Sequence, residues 1–285
     1  LLVLEALPKP VNFSGGMDLT SWSGTFNLER VLGTVPVEED GSASFLAPAG
    51  RPLFFVALDA DDLSVKRMQS FANLMPGETF TCIGCHETRS GAAEARRSEA
   101  TPLALQRSPS VIQPFEDLPD VPDFQRDIQP ILDRHCVTCH NPQKRAGTLN
   151  LAAARAPRFS NAYVALLARR QVADGANGLG NRPPRTIGSS ASPLLARLSG
   201  GHHAVKVSPR EWRMVWLWIE AAAPYAGSYA ALRNTEEQRY YGHAGNKIFG
   251  ECRDVFKRRC AECHKNTAEQ NVSGFPFNWG VRRDK

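Results

Sequence analysis

Long apolar runs are missing from this 285-residue chain. A membrane-crossing helix needs roughly 18 to 20 consecutive apolar residues, and the strongest stretch, 214–219, stops at Glu220. A membrane span is therefore not expected. The opening apolar run, residues 1–4, ends at Glu5 and is too short for the core of a signal peptide. With Leu rather than Met at position 1, the chain reads as a fragment or processed product. Basic runs are also lacking: the net charge is +5, but nowhere do five Lys or Arg residues follow one another. The charge is that of a solvated surface, and nucleic acid is not an expected partner.

Histidine is scarce, with seven in the chain, and so is cysteine, also seven. Their placement is not random. Six cysteines form Cys-x-x-Cys pairs, and each pair is followed at once by histidine: Cys82, Cys85 and His86; Cys136, Cys139 and His140; Cys260, Cys263 and His264. Two thiols one helical turn apart can form thioethers to the two vinyl groups of one porphyrin, and the adjacent His then lies under the ring as an axial iron ligand. Three covalent haem c groups are the expectation. Zinc would usually need two ligand pairs about 12 to 20 residues apart, and these pairs are much farther apart in sequence. A redox dithiol would not require His after each pair. Each ferric haem with both propionates ionised adds about −1, so three would bring the charge to about +2.

Cys252 is the unpaired cysteine. Aligning RDIQPILDRHCVTCH with CRDVFKRRCAECH on the haem cysteines sets Ile128, Ile131 and Leu132 against Cys252, Val255 and Phe256. Both sets follow the i, i+3, i+4 stripe of a helix leading into the attachment site. Cys252 thus reads as a small buried hydrophobe.

The fold class expected is α+β: a small β-sandwich-like domain followed by mostly α-helical c-type cytochrome domains. Residues 1–88 form the β-rich unit carrying the first haem, with strands at 25–31, 42–46 and 53–58 and a Glu-Glu-Asp-Gly turn at 38–41. The proline-rich stretch 89–123 reads as a linker or extended wrap. Residues 124–228 form the unit of the second haem, with helical pattern from Asp127 and a helix near 162–170. Its last helix has Ser208 as N-cap, Pro209 at the first position, Glu211 completing a capping box and an apolar face of Trp212, Val215, Trp216 and Ile219. Residues 229–285 are a partial unit with the third haem. The glycine-rich loop after Asp174 lacks the Lys-Ser/Thr ending of a phosphate loop, and its Arg182 and Arg185 could instead meet haem propionates.

Whether each iron is six-coordinate separates electron transfer from substrate binding. Beyond the motif histidines only His135, His202, His203 and His243 remain. His202, with His203 as second choice, is the expected distal ligand of the second haem. His243 could serve the third. His135 is poorly placed to reach over its own ring and reads as a local or inter-haem residue. For the first haem no histidine is evident, and Met68 and Met75 are the nearby thioethers.

The stretches GTFNLERVLGTVPVEEDGSASF, FFVALDADDLSVKRMQSF and PGETFTCIGCHETRS resemble the middle domain of the hydrazine synthase alpha subunit family. RDIQPILDRHCVTCH, GNRPPRTIGSSASPL and WIEAAAPY are similar to the cytochrome c domain that follows it. The resemblance, over roughly residues 5–228, implies an extracytoplasmic, periplasmic location, a preceding β-propeller, a haem in the middle domain and a bis-histidine haem in the next. In that family the middle-domain haem is catalytic, with a tyrosine after the motif as iron ligand and the motif His turned toward zinc. Here Glu87, Thr88, Arg89 and Ser90 follow His86, without tyrosine. The leading expectation is an extracytoplasmic multihaem cytochrome that passes electrons to a redox partner protein. The alternative is an oxidoreductase whose open first haem binds a small-molecule substrate.

Overall fold

In the computed structural model, residues 1–9, 19–22, 25, 27–68, 70–82, 101–154, 159–173, 182–229 and 231 are described. Cys85, His86, His243, Cys252, Cys260, Cys263 and His264 lie outside them, and so does everything expected of the third haem unit.

The apolar run at the start of the chain is a central strand. β1 (Leu2–Ala6) pairs antiparallel with both β2 (Glu29–Thr34) and β4 (Leu53–Leu58), and β5 (Ser64–Arg67) adds to β4, giving the order β2-β1-β4-β5. Leu2, Val3 and Leu4 are wholly buried because both faces of the strand are covered. On one face Leu2, Leu4, Val31, Phe54 and Val56 join the same apolar cluster as the helices. On the other, Val3 stands opposite Phe55, whose ring meets Phe45 edge-on at 5.7 Å. Phe45 belongs to β3 (Phe45–Leu46), which forms a short parallel ladder with β6 (Ser110–Val111). The mixed α+β class is therefore as expected. Among the described residues the β-structure is a four-stranded sheet with helices against its main apolar face and the short β3–β6 ladder on the other.

The proline-rich stretch is a wrap where it is described. Val31 N–H donates to the Asp120 carbonyl at 2.7 Å, and Thr34 and Gln113 exchange backbone bonds beside β2. This protects an otherwise open sheet edge. The approach requires Gly33 (φ +136°), where a Cβ would sit 2.1 Å from the Gln113 carbonyl oxygen.

Asp123 caps the next helical segment by accepting from Arg126 N–H at 2.9 Å. One turn of π-helix, Phe124–Ile128, runs into α1 (Gln129–His135). α2 (Asn161–Ala168), α3 (Pro193–Ser199) and α4 (Pro209–Glu220) follow. The capping box at Ser208 and Glu211 forms as its spacing predicts. The apolar face of α4 is wider than four residues: Met214 to Glu220 are all buried, so this is a core helix rather than a one-sided one. Around it Phe124, Tyr163 and Trp218 form an aromatic cluster, with ring centres of Phe124 and Tyr163 5.0 Å apart and of Phe124 and Trp218 5.5 Å apart. None of the described helices is long and apolar enough to cross a membrane.

The sheet and the helices share this one core, and a buried polar seam joins them. Arg67 on β5 donates to the side chain of Glu29 and to the backbone carbonyl of Glu220. Its guanidinium also lies 4.9 Å from the Phe54 ring centre. Burial raises the Glu29 pKa above the usual carboxylate value; the Arg67 charge opposes this and the Glu220 charge adds to it.

Candidate functional site

The second Cys-x-x-Cys-His motif continues the helical path of α1. Cys136 N–H donates to the Leu132 carbonyl at 2.8 Å, and the Cys136 carbonyl accepts from Cys139 N–H at 3.1 Å and His140 N–H at 2.9 Å. The two thiols and the imidazole are thereby carried on successive positions of one helical turn, the arrangement that the spacing requires. Cys136 packs against the apolar core while Cys139 is exposed. Burial pushes the Cys136 thiol up to about 11, so it stays protonated at neutral pH.

Asn141 locks the end of this turn. Its amide donates to the Val137 and Thr138 carbonyls, and its side-chain oxygen accepts from Gln143 and Lys144 N–H. The chain then returns so that the Ala146 carbonyl meets His140 Nδ1 at 2.8 Å. A carbonyl can only accept, so Nδ1 carries the proton and Nε2 keeps its lone pair for a metal.

His202 faces this imidazole. It follows Gly200 and Gly201 after α3, in a tight turn where Gly201, His203 and Ala204 all have positive φ (+69°, +47° and +61°). For His203 and Ala204 this conformation costs energy, of the kind concentrated at functional sites. The ring centres of His140 and His202 are 6.2 Å apart, with planes 19° from parallel. Two imidazoles on opposite sides of one metal, each with a bond of about 2 Å and about 1 Å from nitrogen to ring centre, have centres about 6 Å apart. The pair thus fits a bis-histidine iron. His203 stands edge-on to His202 at 4.3 Å and is exposed, which makes His202 the residue that pairs with His140. The pKa of His202 is lowered, first by burial and then by the charges of His203, Arg197 and His140.

A groove of ≈ 430 Å³ opens beside His202, lined by Pro193, Ala196, Arg197 and Gly200. On the other side of the motif, Glu211 ties the start of α4 to the end of α1. It accepts from His135 Nε2 at 3.1 Å and pairs with Arg134. Burial works against ionisation of Glu211, but bonds from Ser208 and His135 hold its carboxyl down to about 2. His135 thus makes a local contact with the start of α4.

Several expected residues are placed elsewhere. Arg185 pairs with Asp59 at 2.7 Å, and the backbone carbonyl of Arg182 accepts from Lys66. Met68 packs against the core cluster, and Met75 is exposed on the far side of the Leu53–Ala72 bridge. Cys82 is exposed. Among the described residues no three His, Cys, Asp or Glu side chains gather as a metal cluster.

Residues 10–87 match the family model of the hydrazine synthase alpha subunit middle domain. The match covers the β-rich part of the chain, and a second comparison extends the similarity to that subunit. It is 28% identical over 257 residues to hydrazine synthase subunit alpha of Kuenenia stuttgartiensis, covering 70% of this chain and 32% of the relative. The structure of Kuenenia stuttgartiensis hydrazine synthase superposes with a TM-score of 0.51 at 18% identity, over 80% of this chain and 39% of that one. This second likeness shows a shared fold. The chain spans about a third of the length of the curated relative it matches.

The sequence did not reveal the Ala146 carbonyl, the Glu211 to His135 bond, or helix α3. The first two depend on chain return. The third had a signal, Ser192 followed by Pro193 ahead of Leu194 and Leu195.

Proposed function

We propose that this chain is an extracytoplasmic multihaem c-type cytochrome and redox subunit, in which the second motif holds a six-coordinate electron-transfer haem. The observation that carries this reading is the His140 and His202 pair, 6.2 Å between ring centres. Cys136 and Cys139 are the attachment thiols: each S–H adds across a vinyl double bond, forming one C–S and one C–H bond with no leaving group. When bound, the haem supplies a one-electron carrier between ferric and ferrous iron.

The chain's own residues do the rest. His140, with Nδ1 committed to the Ala146 carbonyl, presents Nε2 in one tautomer and one orientation. His202, held by its strained turn, would hold the same group together with His140 and leave little room there for a small molecule. Two histidines held by the fold would suit a bound group to electron transfer with a partner protein. The motifs at Cys82, Cys85, His86 and at Cys260, Cys263, His264 add two further haem c groups in this reading, with His243 as candidate ligand of the third.

A second reading, a haem-dependent oxidoreductase acting on a small molecule, is favoured by the family match over residues 10–87, which contains the first motif. Among the described residues near that motif, Met68 is engaged in the core and Met75 is exposed.

Spectra of holoprotein with counted haem separate the two. Three covalent haems by mass spectrometry, all low-spin by electron paramagnetic resonance and indifferent to cyanide, support electron transfer alone. A high-spin fraction near one third supports the enzyme. No covalent haem on the Cys136 and Cys139 peptide refutes the reading.

A further inference from the structure

Building on the reading of His140 and His202 as axial ligands of one iron, we propose that Arg197 binds a propionate carboxylate of the porphyrin at that site, with Gln171 as its positioning residue. The groove beside His202 is walled by one face of α3 and the glycine after it, at Pro193, Ala196, Arg197 and Gly200, spaced i, i+3, i+4 and i+7. Three of these side chains are small or absent, so the wall leaves room for a flat ring, and its volume of ≈ 430 Å³ lies within the range of about 300 to 1,000 Å³ usual for cofactor pockets. Arg197 is the only guanidinium among the residues lining it.

Arg197 is oriented without being neutralised. Its Nη1 donates to the Gln171 side-chain oxygen at 2.6 Å, a neutral acceptor. Gln171 is itself fixed, because its Nε2 donates to the Arg169 carbonyl at 2.9 Å and its backbone N–H to Leu166 at 2.8 Å. Arg185 and Arg213 pair with Asp59 and Asp117, whereas no carboxylate of the described residues pairs with Arg197. A planar fork of donors, held at the edge of a groove that a histidine ligand closes, is suited to a carboxylate. Arg185, by contrast, is engaged with Asp59.

The test is a redox titration of the haem-loaded full chain as Arg197→Gln, Arg197→Lys and Gln171→Ala. Losing the cation beside a propionate favours the ferric state. Arg197→Gln should lower the reduced-to-oxidised ratio of one haem about tenfold at fixed potential, a downward shift of about 59 mV for one electron. Arg197→Lys, which keeps the charge, should shift it less than threefold, and Gln171→Ala should fall between. Haem count and low-spin spectra should be unchanged in all three, which shows that the variants are folded and ligated. Arg197→Gln titrating like the native chain, with those spectra intact, overturns the assignment of Arg197 while the bis-histidine reading stands. A native chain whose Cys136 and Cys139 peptide carries no haem, or whose His202→Ala variant keeps its spectrum, removes the bis-histidine reading and the assignment with it.

Discussion

His140 and His202 lie with ring planes 19° from parallel and centres 6.2 Å apart, although one follows α1 and the other follows α3. Neither helix is long, at seven residues each. Their relative position is set by the core beneath them, where Ile131 and Leu132 of α1 and Leu194 and Leu195 of α3 join one apolar cluster with α4. The pair therefore reports the packing of the whole helical unit.

Exchange of His202 for Ala should turn one haem high-spin and cyanide-reactive while the covalent haem count stays the same. His203→Ala should leave that haem low-spin, since its exposed ring stands edge-on to His202. Paramagnetic resonance of the two variants checks the distinction, and a low-spin His202→Ala protein would contradict the ligand assignment.

Glu211 should make the helical unit acid-sensitive in a defined window. Its folded pKa of about 2 lies below the ordinary value of 4.5, so its stabilising contribution is complete above about pH 4.5 and fades as the pH falls toward 2. Glu211→Gln removes the ionised capping partner and the bond to His135, at a cost of about 1 kcal/mol. Thermal melts should show the variant about 2 to 4 °C less stable at neutral pH, with the difference closing near pH 2.

Arg67→Met should be among the most damaging single changes, because it leaves Glu29 and the buried Glu220 without their shared cation. Removing one partner of a buried pair costs about 3–5 kcal/mol. Combining it with Glu29→Gln should restore part of the loss in denaturant titrations, and no recovery would show that Arg67 acts through packing on Phe54 instead.

Gly188→Ala should destabilise the same seam. At φ +78° a side chain is strained, and a Cβ would lie 2.3 Å from Ser64 Oγ and 3.0 Å from Glu220 Oε1. A loss of about 1–3 kcal/mol is expected in equilibrium unfolding; Gly200, whose nearest neighbour to a Cβ is 3.1 Å away and whose φ is negative, should tolerate Ala better.

Trp218 is fully buried among Phe124 and Tyr163 and donates its indole N–H to the Pro224 carbonyl at 2.9 Å. Trp218→Ala should cost about 3–5 kcal/mol in the same unfolding experiments.

What the sequence determined by itself is chemistry that rides on local spacing. Cys136, Cys139 and His140 must share a helical turn because the residues between them are few, and Ser208, Pro209 and Glu211 form their capping box within a single turn. β4 was legible for the same reason, as a short β-branched and aromatic run. Tertiary structure decided what depends on neighbours distant in the chain. β1 carries no alternation because both its faces are covered, and β5, SVKR, is a strand because it pairs with β4 and its polar side chains find partners in Ser189, Glu29 and Glu220. The second imidazole for His140 could be narrowed by position to His202 and His203, but choosing between them needed the strained turn after Gly201, which aims one ring at His140 and leaves the other in solvent. A Cys-x-x-Cys-His motif is written in consecutive residues; the imidazole that faces it is placed by the packed core between them.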